Sequence, residues 1–120
     1  MKGQWKMRNS KTHDSTFKKK IAKCSNIFYA YSELQFKYGE LLSKRDDVLE
    51  FKANVKLENF PLGDSYTTDF VITSVDGKTI IRECVYKEKI LKPSVIKLLD
   101  ASRAYWQSKG IKDWGIVVNE

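Results

Sequence analysis

The chain has 120 residues, 42% of them apolar, and a formal net charge of +7. This length supports one domain with a modest hydrophobic core and is too short for two. No apolar run reaches the roughly 18 residues that a membrane span needs, and no hydrophobic signal segment follows the first lysines. We therefore expect a cytoplasmic protein with no membrane partner.

The positive charge is concentrated at the N-terminus. Residues 1–23 contain eight Lys and Arg against one Asp, whereas residues 24–120 contain fourteen residues of each sign. Because the first segment also lacks a steady apolar period, we predict a basic arm over 1–23 and a folded domain over 24–120. Such an arm suits contact with phosphates, and a solubilising tail or an amphipathic targeting peptide has a similar composition. The candidate DNA-binding residues are Lys11, Lys18, Lys19, Lys20 and Lys23.

The cysteines and the single histidine do not form a zinc-binding pattern. Cys24 and Cys84 are 60 residues apart, and His13 lies in the arm. A structural zinc site needs about four such ligands. We therefore interpret both cysteines as free thiols, with Cys84 on the strand face opposite Glu83.

After the arm, the pattern predicts first a helix and then a series of strands. Apolar residues at spacings of three and four predict a helix from Ile27 to Leu42. Runs rich in β-branched and aromatic residues predict strands at 48–57, 66–73 and 79–86. Asp76-Gly77 is a typical hairpin turn and should connect the last two of these strands.

The C-terminal third predicts a second helix and a final strand. Pro93 favours the first helical turn, the helix should end before Gly110, and an apolar strand follows at 114–118. A strand, a helix and a strand in succession imply a right-handed crossover between parallel strands. We therefore expect at least one parallel pair within a mixed sheet.

Two acidic residues interrupt adjacent predicted strands. Asp69 precedes the apolar run Phe70-Val71-Ile72, and Glu83 follows fourteen residues later on the next strand. An acid in such a run is costly to bury without a metal ion or a basic partner. The pair is interpreted as half of a metal site, and a structural salt bridge is the alternative.

From Tyr31 to the C-terminus the chain resembles the N-terminal catalytic domain of TnsA, the endonuclease subunit of heteromeric transposases, within the restriction-endonuclease-like PD-(D/E)xK group. The resemblance rests on Ser32-Glu33-Leu34-Gln35, Tyr66-Thr67-Thr68-Asp69-Phe70, Glu83, Ala104-Tyr105-Trp106-Gln107-Ser108-Lys109-Gly110-Ile111 and Trp114-Gly115-Ile116-Val117. It implies an α/β fold with a restriction-endonuclease-like core, in which a mixed β-sheet is flanked by α-helices. It also implies Mg²⁺ or Mn²⁺ as cofactor, DNA as substrate and a transposase or recombinase subunit as partner.

The resemblance gives site roles to four residues. Asp69 matches the central metal-bridging aspartate, and Glu83 matches the acidic member of the (D/E)xK pair, so both are expected to be metal ligands and catalytic. Gln35 falls at the family's helix acid and is expected to support the metal through its amide oxygen or a bound water. The lysine expected two residues after Glu83 is Val85. Lys87 is in phase with that strand face and is the candidate replacement.

The lysine assignment has alternatives. Lys87 is equally consistent with a solvated residue at a strand end. Other residues that compete for the role are Lys89, Lys92 and Lys97.

Two functions follow from these residues. The first is a metal-dependent DNA endonuclease acting in transposition or mobile-element DNA processing. The second is a catalytically inactive nuclease-fold module that binds DNA or regulates a partner, which the replaced helix acid and lysine favour. The acids kept in apolar strands favour the nuclease. A homodimer is an expectation by analogy with enzymes that cut both DNA strands.

Overall fold

The computed structural model describes residues 17–120 of the chain, which form two helices and six strands. In chain order these are β1 (Phe17–Lys19), β2 (Phe28–Ala30), α1 (Glu33–Lys44), β3 (Val48–Lys56), β4 (Thr67–Ser74), β5 (Thr79–Cys84), α2 (Pro93–Ser108) and β6 (Asp113–Val117). Across this part of the chain, neither helix has the length and hydrophobicity required to span a bilayer.

The main sheet has four strands in the order β3-β4-β5-β6. β3, β4 and β5 are antiparallel neighbours, whereas β6 pairs with β5 in parallel after the chain has passed through α2. The Asp76-Gly77 turn connects β4 to β5, and Gly77 has a φ of +86°, which favours glycine. The predicted α/β class and the parallel pair in a mixed sheet are confirmed.

The first helix begins later than the sequence pattern predicts. The N-terminal part of the predicted helix over 27–42 is strand β2, in which buried residues flank the exposed Tyr29. The helix starts after Ser32, whose Oγ accepts the N–H of Gln35 at 3.0 Å. The capping pattern Ser32-x-x-Gln35 marks this start, and it outweighs the apolar spacing upstream.

Part of the predicted basic arm packs on the domain. β1 pairs antiparallel with β2, and Phe17 stacks on Phe36 with 4.9 Å between ring centroids. Ile21 packs against the core, and the carbonyl of Lys23 accepts the N–H of Phe51 at 2.8 Å. Residues 17–23 are therefore anchored to the fold, which differs from the interpretation of all of 1–23 as an arm.

The sheet separates two groups of packed hydrophobic residues. The α1-side core is formed by Phe28, Ala30, Leu42, Val48, Phe51, Phe70 and Ile72. The α2-side core is formed by Leu57, Phe60, Ile81 and Trp106. β4 and β5 contribute to both groups, because successive side chains on a strand point to opposite faces. These two central strands also carry the predicted acids.

Candidate active site

Asp69 and Glu83 lie where the backbone pairing of β4 with β5 ends. The paired register of these strands reaches Phe70 opposite Arg82. Just beyond it, Glu83 Oε1 accepts the N–H of Asp69 at 2.9 Å, and Asp69 Oδ2 accepts the N–H of Cys84 at 2.7 Å. Each carboxylate therefore binds a peptide N–H of the neighbouring strand. The structure brings the two predicted acids together.

The Glu83 carboxylate is buried and surrounded by hydroxyl groups. Glu83 is 1% exposed. Ser102 Oγ donates to Glu83 Oε2 at 2.6 Å, and Thr68 Oγ1 donates to the same oxygen at 3.0 Å. The Tyr66 hydroxyl also lies near this carboxylate and opposes the rise in the pKa of Glu83. These donors stabilise a negative charge without supplying a positive one.

Two tryptophans complete the surroundings of Glu83. Trp106 Nε1 donates to Thr68 Oγ1 at 2.9 Å, and Trp114 Nε1 donates to Ser102 Oγ at 3.1 Å. None of these four residues is predicted as a site residue from the sequence. Two signals were present, since both tryptophans lie in the segments that carry the family resemblance, and Ser102 is a polar residue on the inward side of α2.

The two carboxylates have no cationic partner within residues 17–120, where the ion pairs all involve other acids. Burial raises the pKa of the Asp69 carboxyl well above its usual range, and the Glu83 charge raises it further. Burial also raises the pKa of Glu83, although the hydrogen bonds from Ser102 and its other donors oppose this. The pair therefore favours either a bound proton or a bound cation.

Two other ionisable side chains beside the acids stay neutral. Burial, followed by the charges of Asp69 and Glu83, raises the pKa of the Cys84 thiol. Burial and the same two charges raise the pKa of the Tyr66 hydroxyl well above its usual range. A thiol needs a lowered pKa to act as a nucleophile, so Cys84 is a free but unreactive thiol that packs against the α1-side core.

Gln35 is buried and links strands β3 and β4 to the start of α1. Its Oε1 accepts the N–H of Tyr31 at 2.9 Å, and its Nε2 donates to Asn54 Oδ1 at 2.8 Å. Nε2 also lies 3.5 Å from the carbonyl oxygen of Asp69. Gln35 is thus next to the backbone of Asp69, with its NH₂ group toward β4. Asn54 was not predicted, and its Nδ2 donates to the Tyr29 carbonyl at 2.7 Å.

Lys87 lies beyond the end of β5, which stops at Cys84 instead of continuing to residue 86. Val85 donates its N–H to the Val117 carbonyl at 2.9 Å, and Lys87 donates its N–H to Asn119 Oδ1 at 2.8 Å. Lys87 begins a turn, so the strand alternation that put it in phase with the glutamate does not extend to it. Its catalytic role stays a prediction.

Two of the predicted DNA-binding lysines have partners within the protein. Lys19 Nζ lies 3.2 Å from Glu40 Oε2. Lys23 Nζ donates a hydrogen bond to the Arg45 carbonyl. Each of these ammonium groups would have to leave its partner, or share it, to bind a phosphate.

The other predicted DNA-binding lysines are less engaged within the protein than Lys19 and Lys23. Lys18 Nζ lies 5.9 Å from the centre of the Tyr29 ring, and both residues are exposed. Lys20 is exposed, and no side-chain partner for it occurs among residues 17–120. Lys11 lies outside the described residues. Lys18 and Lys20 therefore present their charge to solvent most directly.

A separate groove of about 540 Å³ lies between α1 and the C-terminal residues. Its lining includes Glu33, Tyr86 and Asn119, and it includes neither Asp69 nor Glu83. Glu33 is exposed and pairs with Lys37 at 3.7 Å. It therefore faces away from Gln35, as the helical spacing predicts.

The donor atoms at the acids fit a small divalent cation. Mg²⁺ is usually held by one or two carboxylates, with water and substrate oxygens as the other ligands. The hydrogen bond that Asp69 accepts within residues 17–120 goes to Oδ2, and Glu83 accepts one hydrogen bond at Oε1 against two at Oε2. In the same part of the chain, no cluster of three or more His, Cys, Asp or Glu residues suits a metal ion. Asp69 Oδ1 and Glu83 Oε1 would therefore be the protein's carboxylate contribution.

A mixed sheet between helices, with two acids on adjacent strands, is compatible with the restriction-endonuclease-like class of folds. The family described as "TnsA-like endonuclease N terminal" matches residues 27–119, and the chain belongs to this family. The family resemblance in the sequence is thereby confirmed. Comparison with curated proteins gives no match.

Proposed function

We propose that the protein is an Mg²⁺- or Mn²⁺-dependent DNA endonuclease that processes the DNA of a mobile element. The observation that supports this most is the contact between Asp69 and Glu83 in the absence of any ion pair to either acid within residues 17–120. A buried carboxylate and a partly buried one, without a cation, oppose folding at neutral pH. A divalent cation would offset this cost.

Asp69 and Glu83 would hold the cation through Asp69 Oδ1 and Glu83 Oε1. When bound, such an ion lowers the pKa of water and neutralises charge on a scissile phosphate. In the hydrolysis, a water oxygen bonds to phosphorus, one P–O ester bond breaks and the leaving oxygen takes a proton. Gln35 would hold the backbone of Asp69 in place. Lys87 would approach the phosphate from the turn after β5.

We further propose that the basic segment binds the DNA backbone and that a transposase or recombinase subunit selects the target. Lys18 and Lys20 are the described lysines best exposed for phosphate contact. Phosphate contacts give affinity without sequence information, so sequence recognition would come from the partner subunit. A homodimer would let two such sites cut opposite strands.

Nicking of supercoiled plasmid DNA tests the proposal. Wild-type protein should nick it with Mg²⁺ or Mn²⁺, and a chelator should stop the reaction. Asp69→Asn keeps an oxygen for the Cys84 N–H and removes the charge, so we expect nicking to fall by about 100-fold or more. The matched control is Asp100→Asn, an exposed acid on α2 that should cut like wild type.

A second candidate is a DNA-binding module without nuclease activity. Two observations favour it, since the Gln35 amide oxygen is engaged by the Tyr31 N–H and Val85 stands at the lysine position. In that case the wild type would bind DNA but leave supercoiled, branched and single-stranded DNA intact with both metals. A calorimetric titration with Mn²⁺ gives an independent measurement, because the nuclease requires binding that Asp69→Asn abolishes.

A further inference from the structure

Two matched hydrogen-bond chains converge on one oxygen of Glu83. In the first, Trp106 Nε1 donates to Thr68 Oγ1 at 2.9 Å, and Thr68 Oγ1 lies 3.0 Å from Glu83 Oε2. In the second, Trp114 Nε1 donates to Ser102 Oγ at 3.1 Å, and Ser102 Oγ lies 2.6 Å from the same Oε2. The chains arise from β4, α2 and β6, so three elements fix one carboxylate.

The direction of each chain is determined by its tryptophan. An indole N–H can donate but cannot accept, so each hydroxyl oxygen must accept from the indole. The single hydroxyl proton is then available for Glu83 Oε2. Thr68 and Ser102 are both 0% exposed, so bulk water has no access to compete for these bonds. The two hydroxyls are thereby held as donors to the carboxylate.

We infer that Thr68 and Ser102 are positioning residues that hold Glu83 with Oε2 occupied and Oε1 directed to the Asp69 side for metal binding. This inference rests on the metal binding proposed above. The opposite oxygen, Oε1, already accepts the N–H of Asp69 at 2.9 Å, which shows that it faces that residue. Glu83 would therefore coordinate a cation through Oε1 alone.

A purely structural role explains this arrangement less well. Well-packed apolar side chains usually stabilise a core at least as much as a buried charge with its donors. In this network, two hydroxyls and two indole N–H groups instead fix the orientation of one carboxylate oxygen. Groups that orient a metal ligand typically change metal affinity by 10–100-fold when they are removed.

Calorimetric titration with Mn²⁺ in paired variants tests the inference. Thr68→Val keeps the side-chain shape and loses the hydroxyl, whereas Thr68→Ser keeps the hydroxyl and loses a methyl group. We expect Thr68→Val and Ser102→Ala to bind Mn²⁺ about 10-fold or more weakly than wild type. Thr68→Ser should bind within about 2-fold, because its donor remains. The matched control is Ser108→Ala, which removes an exposed hydroxyl from α2 that bonds only the Tyr105 carbonyl.

Thermal unfolding of each metal-free variant separates positioning from stability. Thr68→Ser should unfold at a lower temperature than wild type and still bind Mn²⁺ normally, because loss of a buried methyl group affects packing only. If Mn²⁺ affinity follows the unfolding temperature and not the hydroxyl, the inference is wrong. If Thr68→Val does not fold, Ser102→Ala tests the inference by itself.

The inference and the proposed function fail in different ways. Normal Mn²⁺ binding by wild type, Thr68→Val and Ser102→Ala would overturn the positioning role and leave the metal site intact. A wild type that does not bind Mn²⁺ would overturn the proposed function, and the inference with it. A loss of affinity only in the two hydroxyl-free variants supports both.

Discussion

The two faces of the sheet use the same strands for different purposes. On the α1 side, Phe28, Phe51 and Phe70 contact one another with ring centroids 5.7 to 5.9 Å apart. On the α2 side, Glu83 accepts hydrogen bonds from Thr68 and Ser102, and Trp106 of the hydrophobic core donates to Thr68. Aromatic packing stabilises the fold, whereas two unpaired acids oppose it at neutral pH. The α1 side therefore provides the stability that allows a charged site on the same strands.

Of the variants that compare the two faces, Phe70→Ala should have the largest effect, which is a loss of unfolding free energy. Phe70 is 0% exposed and contacts three other aromatic rings, so its truncation should cost about 3–5 kcal/mol of unfolding free energy. Urea unfolding measures this cost. The control is Val71→Ala on the next position of β4, which packs against the α2-side core and is only partly buried. Equal losses in the two variants would contradict the difference between the faces.

A smaller effect is expected from pH, through the acids on the α2 side. The ordinary pKa values are 3.8 for Asp69 and 4.5 for Glu83, and both are raised in the folded protein. At these two acids the folded state then binds more protons than the unfolded state above about pH 4, so their contribution to metal-free stability is fully present at low pH and is lost as pH rises through the folded values. Each unit of pKa elevation corresponds to about 1.4 kcal/mol.

Asp69→Asn is the variant that tests this pH dependence. It removes one charge of the pair, so its metal-free unfolding free energy should fall less between pH 5 and pH 8 than that of wild type. Asp100→Asn, on the exposed side of α2, should keep the wild-type slope. If the wild-type protein becomes more stable between pH 5 and pH 8, the charged forms of Asp69 and Glu83 do not destabilise the metal-free fold. Such a result would remove the reason for expecting a cation there.

The sequence predicted the central part of the fold well and its N-terminal part poorly. β4, β5, α2 and β6 have long periodic patterns, and turn residues such as Gly77 and Pro93 separate them. β1 and β2 have three residues each, and such short segments fit the helical and the strand period equally well. The apolar spacing therefore extends the predicted helix over Phe28–Ala30, which forms β2.

For the candidate site, the acids were predictable and their surroundings were not. Asp69 and Glu83 interrupt apolar strands, which is a local signal. The hydroxyls and indoles around Glu83 come from β4, α2 and β6, and only the tertiary fold places them together. Strand alternation predicts Lys87 in phase with Glu83, but β5 ends three residues before Lys87. Periodicity gives no orientation once a strand has become a turn.

The smallest expected effect is on DNA affinity, and it comes from substitution of an exposed lysine in the segment after β1. Lys20 is exposed, so Lys20→Gln should reduce the slope of log affinity against log salt by about 0.9 on duplex DNA if this lysine neutralises one phosphate. Fluorescence anisotropy at several salt concentrations measures the slope. Lys78→Gln removes the same charge at the hairpin turn, which lies at the opposite end of β4 from Asp69, and should leave the slope unchanged. Equal reductions in both variants would mean that DNA affinity depends on the net charge of the protein and not on the position of the lysine. The distinction matters because only a localised contact would direct a phosphate toward the two acids.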